Sequence, residues 1–100
     1  MTTQDKLTVT ARFRARPDKI EQTRAAITAL IAPTRIEAGC INYDLHQSTE
    51  DPCQFLLYEN WISKKDLDEH LAMPYLASFL STADELLAEP VEILLWRMIS

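Results

Sequence analysis

The chain has 100 residues, which suffices for one domain and is too short for two. Hydrophobic residues make up 47% of it, so a folded protein is expected, and the single glycine argues against glycine-rich phosphate-binding loops. The formal net charge is −5 and the basic residues are scattered, which argues against nucleic-acid binding. We therefore expect one domain over residues 1–100.

The apolar runs are all far shorter than a membrane span, and the N-terminal segment MTTQDK is polar. We therefore expect no signal peptide, no membrane anchor or membrane partner, and a location in the cytoplasm. The two cysteines, Cys40 and Cys53, match no zinc-binding spacing, and only two histidines are present. These observations predict that the protein binds no metal ion.

Residues 7–15 alternate apolar and polar side chains, which predicts a first strand with one apolar face. Pro17 is expected in the first turn of a helix that covers residues 18–38. Pro33 lies inside this stretch and should kink or split the helix. Gly39 is predicted to end the helix as a C-cap glycine.

A predicted hairpin follows, with strands over residues 40–47 and 54–62 joined by a turn-rich segment. Both faces of the second strand are largely apolar: one carries Phe55, Leu57, Glu59 and Trp61, and the other carries Leu56, Tyr58, Asn60 and Ile62. All helices are expected on one side of the sheet, so the chain itself can cover only one of these faces. The other face therefore predicts a homodimer, in which a second copy supplies the cover.

A capping-box pattern at Ser63 predicts a helix that runs to about Met73. Pro74 begins a third helix, which the Glu89-Pro90 pair ends, and residues 91–99 form the last predicted strand. The order β-α-β-β-α(α)-β is the ferredoxin-like pattern of the α+β class.

Several short motifs lie on these elements: Glu37-Ala38-Gly39-Cys40 leading into Tyr43, Tyr58-Glu59-Asn60-Trp61 followed by Ser63, and then His70-Leu71, Pro74 and Phe79. In these motifs the chain resembles the antibiotic-biosynthesis-monooxygenase family, including its quinol-oxidising members, over nearly its whole length. The resemblance implies a dimeric α/β barrel, in which two sheets pack face to face. It also implies a ligand pocket inside each subunit, between the sheet and the helices.

Strand parity places Glu59 and Trp61 on the face that we infer to look toward the helices, and His70 lies on the helix that follows. We expect the Glu59 carboxylate and the His70 imidazole to meet at the pocket, where His70 takes a proton from a phenolic substrate. Trp61 is expected to stack on the planar substrate. The predicted pocket is further lined by Tyr43, Phe55, Leu57 and Phe79.

The same residues also allow a structural interpretation. Glu59 and His70 would then form a buried pair that fixes the second helix, and Trp61 would be an ordinary core residue. Asn60 is a candidate donor to an oxyanion, but parity directs it away from Trp61. The resemblance implies an asparagine on the pocket face, where this chain has Leu57 instead.

The resemblance implies a monooxygenase that oxidises a small aromatic, quinol-type substrate with O₂ and uses no metal, flavin or other cofactor. Two alternatives remain open. One is a small-metabolite isomerase that uses Glu59 and His70 as acid and base, because the family includes an isomerase. The other is a non-catalytic dimeric module that binds a ligand.

Overall fold

The structure, a computed structural model, describes residues 6–100, so the N-terminal segment for which we expect no signal peptide lies almost wholly outside the described residues. The elements are β1 (Leu7–Arg14), α1 (Ile20–Thr28), α2 (Ile31–Arg35), β2 (Cys40–Gln47), β3 (Gln54–Trp61), α3 (Lys64–Leu71), α4 (Pro74–Leu86) and β4 (Glu92–Trp96). Across residues 6–100, no helix combines the length and the apolar character that crossing a membrane requires.

The four strands form one antiparallel sheet in the order β2-β3-β1-β4. Alternate residues of β1, Val9, Ala11 and Phe13, belong to one buried cluster with apolar side chains of all the longer helices. The helices therefore lie on one face of the sheet, which we call the helix face, and we call the opposite side the open face. This arrangement confirms the predicted α+β, ferredoxin-like fold.

The predicted helix over residues 18–38 is interrupted: α1 ends at Thr28 and α2 begins at Ile31. The helix is split near Pro33, as predicted. Pro33 itself lies inside the first turn of α2 and not in the break between the two helices. The reason is that the first-turn amides of a helix need no partner within it, so a proline there costs no hydrogen bond. In a continuous helix the missing N–H of Pro33 would have left the carbonyl four residues earlier without its donor.

The prediction that Gly39 is a helix C-cap is wrong. Helix α2 ends four residues earlier, at Arg35, and Gly39 has no positive φ. The glycine is required because its backbone packs against Asp66 near the start of α3, where a Cβ atom would overlap the Asp66 side chain. The Gly39 carbonyl also accepts a 2.9 Å hydrogen bond from the backbone N–H of Ile62. The connection from α2 to β2 is thereby held against α3.

The β2–β3 hairpin pairs Tyr43 with Glu59 and Asp44 with Tyr58. Cys40 lies opposite Trp61, and both cysteines are free. The Ser63 prediction is also confirmed, because its hydroxyl caps α3 by accepting the backbone N–H of Asp66 at 3.3 Å.

Strand β4 is shorter than predicted, since residues 97–100 have no regular structure. Trp96 already pairs with Thr8, so β1 offers only Leu7 as a further strand partner. The open face carries exposed apolar side chains, among them Tyr58, Ile62, Leu94 and Trp96 at 42%, 53%, 41% and 51% exposure. Within one chain, this face has no apolar cover from the described residues.

Candidate functional site

A small cavity lies between the helix face of the sheet and helices α3 and α4. Its volume is about 40 Å³, and its lining includes the predicted site residues Tyr43, Leu57, Glu59, His70 and Phe79. This volume holds only a few water molecules and is far below the ~300–1,000 Å³ of pockets that enclose drug-sized ligands. An aromatic ring therefore enters only if lining side chains move apart.

The edge of the cavity near β4 is built from Leu71, Leu80 and Ile93, which are also partly exposed to solvent. These side chains come from α3, α4 and β4, so three separate elements meet there. Exposed apolar side chains at the rim are the ones that can swing outward at the lowest cost, because they have few partners to lose. We therefore identify this edge as the entrance to the cavity.

The His70 ring is 2% exposed and stacks obliquely on Trp61, with ring centroids 4.6 Å apart and planes at 33°. Trp61 is fully buried and does not line the cavity, so it packs behind His70 and not over the cavity space. Tyr43 completes this aromatic cluster with edge-to-face contacts, its ring centroid lying 5.5 Å from that of His70 and 6.5 Å from that of Trp61.

Glu59 is 4% exposed, and one of its oxygens accepts a 3.0 Å hydrogen bond from the indole N–H of Trp61, two residues along the same strand face. Burial raises the pKa of the Glu59 carboxyl from its ordinary value of 4.5 to about 7, opposed by the Trp61 hydrogen bond and assisted by the charge of Glu37. A carboxyl group with this pKa can both release and accept a proton near neutral pH.

The predicted pairing of Glu59 with His70 is wrong: the carboxylate that contacts His70 is Glu37. The Glu37 Oε2 atom lies 2.9 Å from Nδ1 of His70 and also accepts a hydrogen bond from the Tyr75 hydroxyl. Glu59 is instead hydrogen-bonded to Trp61. The sequence analysis missed Glu37 because Glu37 lies in the loop before β2, which strand parity does not position.

Of the four predicted pocket-lining residues, Tyr43, Leu57 and Phe79 do line the cavity, whereas Phe55 does not. Phe55 is buried further along β3, with the guanidinium of Arg24 5.8 Å from its ring centroid. Burial also raises the pKa of the Tyr43 hydroxyl well above its ordinary value, with Glu59 adding to the effect. Tyr43 is therefore a neutral group in the site.

Asn60 points away from Trp61, as parity predicts. Its amide N–H donates to Asn42 at 2.9 Å, and its oxygen accepts from the Thr8 hydroxyl at 2.5 Å. These contacts cross three strands on the open face. Asn60 therefore ties strands together there and does not face the cavity.

The remaining titratable groups near the site do not form a metal centre. Within the described range 6–100, no three His, Cys, Asp or Glu side chains converge so as to hold a metal ion. Burial raises the pKa of the Cys40 thiol to about 11, so the thiol is protonated at neutral pH and is a poor nucleophile.

The fold and the site define the protein as an α+β, ferredoxin-like chain. Its cavity between sheet and helices has mostly apolar walls that also carry Glu59 and His70. The sequence profile of the family described as "Antibiotic biosynthesis monooxygenase" matches residues 6–81. The chain belongs to this family, which confirms the resemblance found in its motifs.

Individual relatives are also similar to this chain over most of its length. Rv0793 of Mycobacterium tuberculosis, which is named provisionally as a monooxygenase, is 41% identical over 85 residues that cover 85% of this chain and 83% of that protein. Its structure aligns with a TM-score of 0.90 at 36% identity, over 95% of this chain and 96% of that one. The structure of PA3566 from Pseudomonas aeruginosa aligns over 100% of both chains, with a TM-score of 0.92 at 31% identity.

A third relative, sll1783 of Synechocystis, is described as uncharacterized. It is 33% identical over 94 residues, which cover 94% of this chain but only 64% of the relative. The chain thus spans less than two thirds of that protein's length.

Proposed function

We propose that the protein is a cofactor-independent monooxygenase that oxidises a small aromatic, quinol-type substrate with O₂. The observation that carries the proposal is that Glu59 and His70, although not hydrogen-bonded to each other, both line one largely apolar cavity. Membership of the family and the name given to Rv0793 support the same reaction class.

In the proposed reaction, His70 takes the proton of a phenolic hydroxyl group, and the resulting anion passes an electron to O₂. The two radicals combine to form a carbon–oxygen bond at a ring carbon ortho or para to the hydroxyl group, one that carries a hydrogen atom which is later lost with the departing water. The peroxide so formed loses water, with one oxygen atom staying on the ring as a quinone carbonyl and the other leaving as water. Glu59 exchanges protons with the peroxide in this last step.

The surroundings of the cavity suit this chemistry. Leu57, Phe79 and Val9 give it an apolar wall, which favours an aromatic ring and O₂ over charged metabolites. Trp61 stacks on His70 instead of lining the cavity, so we now assign it to the support of His70 and Glu59. Entry of the ring requires outward movement at the entrance between α3, α4 and β4.

We further propose that the protein is a homodimer whose two open faces pack together. Tyr58, Ile62, Leu94 and Trp96 together form an exposed apolar surface on that side of the sheet. Covering it with an identical surface removes apolar area from water on both copies, which is the usual basis of a two-fold interface. The face-to-face packing of sheets is also what the family resemblance implies.

The experiment is oxygen consumption by the purified protein with a panel of quinols and anthrones, in buffer treated with a chelator. We expect turnover that falls by about 10²- to 10⁴-fold in His70→Ala, which is the usual contribution of a general base. Glu69→Gln is the matched control, because Glu69 is an exposed carboxylate on the same helix. Absence of oxygen consumption with every member of the panel contradicts the proposal.

The second candidate is an isomerase that moves a proton on a small carbonyl metabolite. It is favoured by the raised pKa of Glu59, because a carboxyl group that can both release and accept a proton near neutral pH can move a proton on such a metabolite without O₂. Turnover of such a metabolite under anaerobic conditions, lost in Glu59→Gln, supports the isomerase over the monooxygenase.

The third candidate, a non-catalytic ligand-binding module, is favoured by the small volume of the cavity. In this case aromatic ligands bind without any chemical change. Binding of a quinol that is recovered intact after long incubation with O₂ supports this candidate over both enzymes.

A further inference from the structure

Glu37 is the group in the site that neither strand periodicity nor the predicted chemistry accounts for. It lies in the loop between α2 and β2, yet its side chain is only 10% exposed. Its Oε2 atom receives two contacts, one from Nδ1 of His70 at 2.9 Å and one from the Tyr75 hydroxyl. A loop residue thus places a carboxylate in direct contact with the imidazole that lines the cavity.

The hydrogen bond between Glu37 and His70 determines which ring nitrogen carries the proton. An ionised carboxylate is an acceptor only, so Nδ1 of His70 must donate and therefore bears the hydrogen. In the neutral imidazole the other nitrogen, Nε2, is then a bare acceptor. No hydrogen bond among residues 6–100 uses Nε2, and His70 lies on the cavity wall.

We propose that Glu37 is a positioning residue that holds His70 in the tautomer with Nε2 free to accept the substrate's proton. This inference rests on the proposed function, in which His70 is the proton acceptor. Glu37 does not touch the substrate and acts only through His70. It also faces the imidazolium that proton transfer creates, and a carboxylate at this distance in a buried site stabilises that cation.

Glu37 is itself held in place by two further side chains. The Tyr75 hydroxyl donates to Glu37, so the hydroxyl of Thr34, 3.2 Å away, is the donor in its contact with the Tyr75 oxygen. Burial, together with the Glu37 hydrogen bond, raises the pKa of Tyr75 to about 12, so the phenol keeps its proton and its donor role at any physiological pH. Thr34 is completely buried, which fixes the far end of this chain of hydrogen bonds.

The position of the loop is fixed as well. Gly39 lets the backbone two residues after Glu37 pack against Asp66 at the start of α3, the helix that carries His70. The loop and the histidine are therefore anchored to the same helix. The carboxylate and the imidazole are placed relative to each other before any substrate arrives, as a positioning role requires.

The test is the tautomer of His70, read from ¹⁵N NMR of histidine-labelled protein at a pH where the ring is neutral. We expect the wild-type signal of the Nδ1–H form. Glu37→Leu removes the acceptor at similar size and should abolish the preference for that form, whereas Glu37→Gln keeps an acceptor oxygen and should retain it. The control Glu69→Leu, an exposed carboxylate on α3, should leave the spectrum as in wild type.

Turnover gives a second readout. For Glu37→Leu we expect kcat to fall by about 10- to 100-fold with little change in KM, the size typical of residues that orient a reacting group. Glu37→Gln should recover most of the loss. A purely structural carboxylate would lower the melting temperature without changing the tautomer or separating kcat from KM.

The tautomer measurement separates this inference from the proposed reaction. If no substrate is oxidised but the Nδ1–H form is lost only in Glu37→Leu, the proposed function fails and the role of Glu37 in fixing His70 stands. If wild-type His70 carries its proton on Nε2, or if folded Glu37→Leu keeps the Nδ1–H form, the inference is overturned. If the leucine variant does not fold, Glu37→Ala provides the same comparison, and the inference again requires loss of the Nδ1–H form.

Discussion

The indole N–H of Trp61 donates to Glu59, while the centroid of the Trp61 ring lies 4.6 Å from that of the His70 ring. One buried side chain thus contacts both Glu59 and His70 on the cavity wall. Its hydrogen bond stabilises the charged form of Glu59, and its ring limits the orientations that His70 can adopt. Changes at Trp61 should therefore alter protonation as well as packing.

Replacing Trp61 with Phe keeps an aromatic ring but removes the donor to Glu59. Because that hydrogen bond lowers the pKa of Glu59, we expect the Glu59 pKa to rise above about 7 and the corresponding limb of the pH–rate profile to move to higher pH. The matched control is Trp96→Phe, since Trp96 is half-exposed and its indole donates to Thr10 on the open face. A profile that shifts equally in both variants contradicts the link between Trp61 and Glu59.

The pH dependence of stability should show the cost of burying Glu59. Its pKa is raised from 4.5 to about 7, so between these values the folded state holds a proton that the unfolded state has released. The contribution of Glu59 to the free energy of unfolding therefore falls as pH rises from 4.5 to about 7. Above about pH 7 the whole destabilisation caused by burying the charged carboxylate is present.

Glu59→Gln removes this titration while keeping an acceptor for Trp61. We expect the variant to be more stable than wild type by about 1–3 kcal/mol at pH 8, with the difference shrinking toward pH 5. Urea unfolding at both pH values measures it, and the difference between the two proteins cancels contributions from other groups. An equal difference at pH 5 and pH 8 is inconsistent with the raised pKa.

Gly39 should tolerate no side chain. Its replacement by Ala creates an overlap with Asp66, which we expect to lower the free energy of unfolding by about 1–3 kcal/mol, as overpacking does elsewhere. The exposed neighbour Ala38 provides the control, since Ala38→Ser should change stability by less than about 0.5 kcal/mol. Unfolding of both variants in urea makes the comparison, and equal stability would remove the packing explanation for this glycine.

The proposed dimer can be tested by placing a charge on the open face. Ile62→Glu puts a carboxylate into the apolar surface that also contains Tyr58 and Trp96, so we expect a monomer in sedimentation velocity. Ile36→Glu is the control, because Ile36 is 84% exposed in the loop after α2 and lies outside that surface. The proposal fails if wild type is already monomeric or if Ile62→Glu remains dimeric.

The fold was largely predictable because its strands have a two-residue period that needs only local information. The alternation over 7–15 and the two-sided pattern over 54–62 located β1 and β3 and gave the correct faces for Trp61 and Asn60. The Ser63 cap was found from its own local pattern. The family resemblance was confirmed by the match over residues 6–81.

The site was only partly predictable, because the contact that positions His70 comes from Glu37, which lies in a loop and not in a strand or helix. Parity correctly placed Glu59 beside Trp61, but no periodicity specifies where the loop residue Glu37 lies in space. The one available signal was Gly39, which was interpreted as a helix cap when close packing was the alternative use of a glycine. That packing interpretation would have indicated that the loop lies close to another element, but only the structure identifies this element as the helix of His70.

The most direct test of the proposed reaction is incorporation of ¹⁸O from ¹⁸O₂ into the product of an oxidised quinol or anthrone, in chelator-treated buffer. We predict one labelled oxygen atom in each product molecule formed by wild type, and a rate of label incorporation about 10²- to 10⁴-fold lower in His70→Ala. Product that carries no label, or labelling at the wild-type rate in His70→Ala, would contradict the proposed monooxygenase site.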